Sequence, residues 1–301
     1  MKIHFGEPLT VKQESRRAAL ICGPGLLWVT LFLLVPLLAI VAISFASRGM
    51  YGDLQWRFTL ENFKRFLGFG LFGFDPLYPK IVLRSLGLAL GTVTLCALTA
   101  LPLTFFIAGL NKKWKQVALV LLVIPFWTNM LIRTYAWQII FSANGWPARL
   151  AASLGFISPG EALYPGTGAV FIVLACDFLP MLALPLYASV EKIDWSIAEA
   201  ASDLGANRWR VWWHALLPQV RPGLMAGGIL VFVGATGQFV IPDLMGGAKT
   251  VLLGNAIQQQ FGLSRDWPFG SAISCLAMII VMVGLWLCAR IAGEEGRKAM
   301  L

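Results

Sequence analysis

Long apolar runs separated by short polar segments set the pattern of this chain, and each run is long enough to cross a ~30 Å hydrocarbon layer as a helix. The first goes from Ala18 to Ser47, the second from Ser85 to Leu110, and the third from about Gln116 to Phe141, interrupted by Arg133. The fourth goes from about Gly166 to Val190 and contains Asp177, the fifth from Pro222 to Ile241, and the sixth from Trp267 to Ala289. The pattern predicts an all-α integral membrane protein with six transmembrane helices and both termini on one side. A tail of residues 1–17 precedes a six-helix domain over 18–292, and a second tail covers 293–301. Arg16 and Arg17 before the first run resemble the start of a signal peptide, but its 30 residues exceed the 7 to 15 of a signal-peptide core. It is read as an uncleaved helix in which Pro36 makes a kink that neighbouring helices tolerate.

Composition agrees: 58% of residues are hydrophobic and 13% charged, with mean hydropathy +0.73, whereas soluble domains carry about 25% charged residues. The net charge of +9 reports topology rather than a nucleic-acid partner, because Lys and Arg collect between the runs. With a cytoplasmic N-terminus, inner segments hold 14 of them in about 65 residues and outer segments nine in about 82, the bias of the positive-inside rule. The first outer loop runs against it, with Arg48, Arg57, Lys64, Arg65, Lys80 and Arg84 among many phenylalanines, Phe72 included, and is expected to pack on the outer membrane face. Cys22, Cys96, Cys176, Cys275 and Cys288 all lie inside apolar runs without a C-x-x-C pair, and His4 and His214 stand far apart, so no metal site is expected. No period signals a repeat architecture.

The most informative polar segment is Glu191 to Arg221, 31 residues long, where the other inner loop, Asn111 to Lys115, has five. Asp194 to Leu204 reads as a short helix capped by Asp194 or Ser196, with Ala198, Ala200 and Ala201 supplying helix propensity and Gly205 ending it. Asn207 to Leu217 reads as a second helix, with Trp209, Trp212, Trp213 and Leu216 on one apolar face and Pro218 closing it. Physically this is a compact knob. Taken alone it also fits an amphipathic helix lying on lipid headgroups.

Glu199-Ala200-Ala201, then Gly205, then Ala215-Leu216-Leu217-Pro218 resemble the EAA loop of ABC importer permeases of the type I class, with Ala215 where the family usually has a larger aliphatic residue. The resemblance implies that Glu199, Ala200, Ala201, Gly205, Leu217 and Pro218 couple the spans to an ATPase subunit. Asp243 to Lys249, Gly254-Asn255 and Arg265 to Gly270 are similar to the outer loop of spermidine and putrescine permeases. Trp127, Arg133, Tyr135, Ala136 and Trp137, with Leu179-Pro180 and Pro185-Leu186-Tyr187, are similar to the same group. The resemblance implies a polyamine importer in a bacterial inner membrane, with both termini cytoplasmic. Its partners would be a second permease in a heterodimer, two ATPase subunits that bind ATP and magnesium, and a periplasmic binding protein. Permeases for opines or other small amine or amino-acid-like solutes share much of this pattern.

Catalytic chemistry is not expected of this chain itself. Gly246-Gly247-Ala248-Lys249-Thr250 has the wrong spacing for a P-loop and lies on the outer side, and neither G-x-S-x-G nor H-E-x-x-H occurs. Ionisable residues within the runs matter more, since a charge at mid-bilayer costs at least ~2.5–3.5 kcal/mol. On straight helices Asp177 lies about 15–20 Å in from the outer end of its run and Arg133 roughly 5 Å from the outer interface. A bridge between them would need long reach and a shifted register. Asp177 is open to three readings: a pair with Arg133, a carboxylate in a wet cavity that partners a passing ammonium, or a protonated or hydrogen-bonded side chain without a transport role. Trp127, Tyr135, Trp137, Phe239 and Asp243 complete the candidate path, rings attracting ammonium by ~0.5–2 kcal/mol. Gly227, Gly228, Gly234 and Gly237 are expected to admit close helix approach, and Pro242 with Gly246 and Gly247 to break the fifth helix. An ion-driven secondary transporter would be expected to show several buried ionisable groups, and a non-transporting scaffold no flux.

Overall fold

The computed structural model describes residues 11–49, 52–70, 73–247 and 250–298. His4, Phe72, Ala248, Lys249 and the outermost tails lie outside the described residues, as do the side chains of Arg16, Arg17 and Cys288. Helices dominate: α1 (Val11–Ser44), α2 (Glu61–Phe66), α3 (Leu77–Ala108), α4 (Lys112–Trp127), α5 (Met130–Ile140), α6 (Trp146–Ser153) and α7 (Thr167–Val190). After them come α8 (Trp195–Asp203), α9 (Arg208–Val211), a π-helical turn (Trp212–Leu216), α10 (Leu217–Gly237), α11 (Val240–Gly246), α12 (Leu253–Phe261) and α13 (Trp267–Lys298). Among the described residues, five helices are long and apolar enough to span a membrane, and six spans result when the bent pair α4 and α5 counts as one.

α7 forms the centre, packed between α3 and α10. Apart from Asp177 its buried middle is apolar on all sides, as suits a helix surrounded by other helices. α10 approaches it closely because a Cβ on Gly227 would stand 2.8 Å from Leu182 Cα, and one on Gly223 2.5 Å from Pro185 O. Gly234 likewise yields to the Phe178 ring, whereas Gly228 has only ordinary contact with Val93 and Gly237 has open space, so two of the four glycines expected to admit close approach do so. α1 sits against α13, and within its apolar stretch Cys22–Ser44 only Ser44 is buried, which leaves the rest of that surface for lipid or another subunit.

The third run is not one helix. α4 and α5 meet at 95°, because Thr128 and Asn129 adopt extended backbone and Asn129 starts a new helix by accepting from Leu131 N at 2.8 Å. Pro125 lies in the last turn of α4, and its carbonyl accepts from Thr128 Oγ1 at 2.7 Å. A second correction concerns Pro218. It does not close a cytoplasmic helix: with no N–H to lose it sits in the first turn of α10, where proline is tolerated, and the chain stays helical from Arg208 to Gly237. The break at the C-terminal end of that helix falls at Gln238 and Phe239, ahead of Pro242, which lies buried inside α11.

Outside the spans, the loop after α1 forms two short antiparallel hairpins, β1 (Ser47–Arg48) with β2 (Leu54–Gln55) and β3 (Phe69–Gly70) with β4 (Gly73–Phe74). It packs on the start of α13. Asp266 is the keystone there: Arg65 donates to its Oδ2 at 2.8 Å, Arg48 lies 3.8 Å away, and Oδ1 accepts from Phe269 N. The Arg65 guanidinium also covers the Phe269 ring at 4.0 Å. Two of the cations that run against the expected positive-inside bias, Arg48 and Arg65, are thus held by a buried carboxylate. Arg265-Asp266-Trp267-Pro268-Phe269-Gly270 is the seat of this cluster, and a Cβ on Gly270 would press the Phe261 ring at 3.2 Å.

Candidate functional site

The polar segment after α7 folds as a knob. Asp194 Oδ1 accepts from Ser196 N at 3.0 Å and so caps α8, and hydrogen bonds from the Ser196 side chain and backbone hold its carboxyl below the usual carboxylate range. Gly205 ends the helix with φ of +82°, in the left-handed region that glycine enters freely. Asn207 then caps α9 by accepting from Arg210 N at 2.9 Å. The helix, glycine turn and second helix expected from the residues are all present.

One face of the knob belongs to the membrane core. Ala198, Leu216 and Val220 are buried together with Leu182, Leu186 and Val190 of α7 and with Cys96 and Ala100 of α3. Glu199 and Ala200 face outward, Ala201 is half-buried, Gly205 and Pro218 are exposed and Leu217 is partly buried. The four-residue apolar stripe does not stay on one side: Leu216 turns in, while Trp209 is 73% and Trp213 55% exposed. The π-helical turn causes this, since a wider turn rotates the following residues relative to an α-helical register. Between α8 and the second helix lies an open groove of about 350 Å³ lined by Trp195, Glu199, Ser202, Asp203 and Val211. At the membrane ends of the knob, Lys115 of α4 pairs with Glu191 at 3.7 Å, and Tyr187 donates to the same carboxylate at 3.1 Å.

Arg133 and Asp177 come together. Arg133 Nη2 donates to Asp177 Oδ2 at 2.7 Å, and Nε lies 2.5 Å from Oδ1 as a charge contact rather than an aligned hydrogen bond. Nη1 donates to the Pro125 carbonyl at the end of α4. The side chains are 19% and 6% exposed. The straight-helix geometry that kept them apart fails because α5 turns through 95° and carries Arg133 toward the middle of α7. Pro125 followed by Thr128-Asn129, a proline and then an N-capping asparagine, is the sequence signal that marks this break.

Other candidate path residues are dispersed. Trp127 is 86% and Tyr135 52% exposed, Trp137 packs on Phe141 with ring centroids 5.2 Å apart, and Asp243 is exposed in the first turn of α11. Phe239, 41% exposed, borders an apolar cavity of about 500 Å³ with Val233, Leu253, Ile257 and Met282. Gly254 and Asn255 serve the fold: Asn255 Nδ2 donates to Phe239 O at 2.8 Å, and a Cβ on Gly254 would stand 2.8 Å from the carbonyls of Gly237 and Gln238. They dock α12 onto the break between α10 and α11. Gln138 and Gln219 carry interhelical hydrogen bonds that no motif announced: Gln138 Nε2 donates to Leu244 O at 2.7 Å, and Gln219 Oε1 accepts from Asp194 N at 2.9 Å.

The model of the binding-protein-dependent transport system inner membrane component family matches residues 100–293. The spermidine/putrescine transport system permease protein PotB of Escherichia coli K12 is 38% identical over 271 residues, covering 89% of this chain and 96% of that protein. PotB of Haemophilus influenzae is 35% identical, covering 91% of this chain and 93% of that protein. A chain of the bacterial alginate ABC transporter, crystallised with an alginate pentasaccharide-bound periplasmic protein, superposes with a TM-score of 0.64 at 13% identity, covering 94% of this chain and 95% of that one, and shares the fold.

Proposed function

The chain belongs to the family of binding-protein-dependent transport system inner membrane components, and on that premise we propose that it is a permease subunit of an ATP-driven importer for polyamines of the spermidine and putrescine class. The knob between α7 and α10 is the observation that carries the mechanism. It presents Glu199 and exposed tryptophans outward while its inner face is continuous with the core of three spans. A partner that pushes on the knob therefore moves α7 and α10 together, because closely packed interiors transmit displacement rather than absorb it.

On this reading, Glu199, Ala200, Ala201, Gly205, Leu217 and Pro218 form the coupling surface and its hinge. The knob and both termini face the cytoplasm. Two ATPase subunits bind ATP and magnesium and dock there, a second permease completes the path, and a periplasmic binding protein delivers the amine. The substrate class rests on the names of the PotB relatives. Asp243 and the exposed rings of Trp127 and Tyr135 supply groups that attract an ammonium, and Phe239 borders a separate apolar cavity. Asp177 joins them only when Arg133 leaves it.

Uptake of labelled spermidine and putrescine into ATP-loaded proteoliposomes holding the whole complex tests the proposal. ATP-dependent uptake displaced by unlabelled polyamines and unaffected by amino acids is the expected result. Uptake that competes with an opine or another amine instead would move the substrate assignment and leave the coupling reading in place. Uptake that ignores ATP would overturn the coupling reading.

A further inference from the structure

One side chain ties the start of the coupling helix to the base of the next span. Gln219, in the first turn of α10, accepts from Asp194 N with Oε1 at 2.9 Å and donates from Nε2 to Ala215 O at 2.9 Å, with Asp194 O a further 3.5 Å contact. Asp194 is the residue that caps α8. A single amide thus joins the N-terminus of α8, the π-helical turn and α10. Ala198, Val211 and Leu216 add apolar contacts between knob and spans, and Lys115 and Tyr187 meet the knob at Glu191, ahead of α8. Apolar contacts hold surfaces together without fixing their register, whereas hydrogen bonds are directional. The π-helical turn lies between the two elements that must move as one, and a local widening of that kind is a place where a helix yields.

We infer that Gln219 is a positioning residue for energy coupling: it holds α8 in register with α10 across the π-helical turn, so that displacement of the knob reaches the span instead of being taken up in the turn. The inference rests on the coupling reading of the knob. Gln219 accomplishes this because a glutamine amide offers an acceptor and two donors on one planar group, which a hydrocarbon side chain of the same length lacks.

The test uses the full complex in proteoliposomes and reads spermidine uptake per ATP hydrolysed, normalised to assembled complex. Gln219→Met keeps length and helix propensity and removes the hydrogen bonds. Its uptake per ATP falls by about fivefold, the factor that one net hydrogen bond of ~1 kcal/mol makes, while ATP hydrolysis continues. Gln219→Glu keeps the acceptor toward the Asp194 N–H and falls less. A ratio equal to wild type in Gln219→Met, including the case where uptake and hydrolysis decline together, overturns the inference. If Gln219→Met does not assemble, the ratio is read from Gln219→Leu, which also lacks the acceptor and the donors, and a value equal to wild type there has the same meaning. A wild-type complex with no ATP-dependent uptake defeats the coupling reading and this inference with it; a wild-type complex that transports while both variants keep its ratio defeats this inference alone.

Discussion

At the scale of single residues, the pairing of Arg133 with Asp177 decides how a charge survives inside an apolar bundle. Removing one partner of a buried pair leaves the other uncompensated and costs ~3–5 kcal/mol, while replacing both is often near neutral. Asp177→Asn alone should therefore lower the yield of assembled complex, and Arg133→Gln with Asp177→Asn should restore it, as read by size-exclusion chromatography in detergent. Uptake by the restored double variant then separates two roles. Normal uptake makes the pair a staple of α5 to α7; lost uptake in a well-assembled complex makes the carboxylate part of the path. Both ionisable residues are plain in the sequence. Their contact is not, because it depends on a 95° turn that an apolar run read as one helix conceals.

Helices and turns divide by whether local chemistry or tertiary packing fixes them. The fourth apolar run, expected over 166–190, is α7 at Thr167–Val190, since a helix buried among others is apolar throughout and ends where polarity returns. α8, Gly205 and the start of α9 follow from capping residues and a left-handed glycine, all local chemistry. By contrast α12 is short and amphipathic and packs against α13, and α6 is short with only Ala148 buried, so no apolar run announces either. Pro218 misleads for a similar reason: proline ends a helix or opens one, and the choice lies in the fit of the next turn. The turn at Gly205 makes a clear prediction. No atom stands within 4 Å of a Cβ placed there, so Gly205→Ala costs only the ~1–2 kcal/mol of a left-handed alanine and should keep most uptake. Gly205→Pro, whose ring fixes φ near −65°, cannot form the turn at +82° and should abolish uptake while the protein still inserts. Normal transport by the proline variant would remove the turn from the mechanism.

For the molecule as a whole, the end of the bundle that carries the loop after α1 is closed by the cluster around Asp266. Its carboxylate is 5% exposed and joins the first outer loop to the last span, so Asp266→Asn should weaken the charged hydrogen bond from Arg65 by ~1.5–3 kcal/mol. A lower thermal midpoint in detergent and faster proteolysis between α1 and α3 are the expected outcomes. Arg65→Lys should reproduce part of the loss, because an ammonium cannot lie flat on Phe269 as the guanidinium does. An unchanged midpoint in both variants would mean that the aromatic contacts of Phe66, Tyr78 and Phe269 suffice.

The same contact sets a clock for biosynthesis. Arg65 and Asp266 are 201 residues apart in the chain. At ~5–20 residues per second, a ribosome needs about 10–40 s after making Arg65 before Asp266 emerges. During that interval the loop after α1 has no carboxylate to close on, and its aromatic and basic side chains are without their seat. Arrival of the last span is thus the event that finishes the first loop.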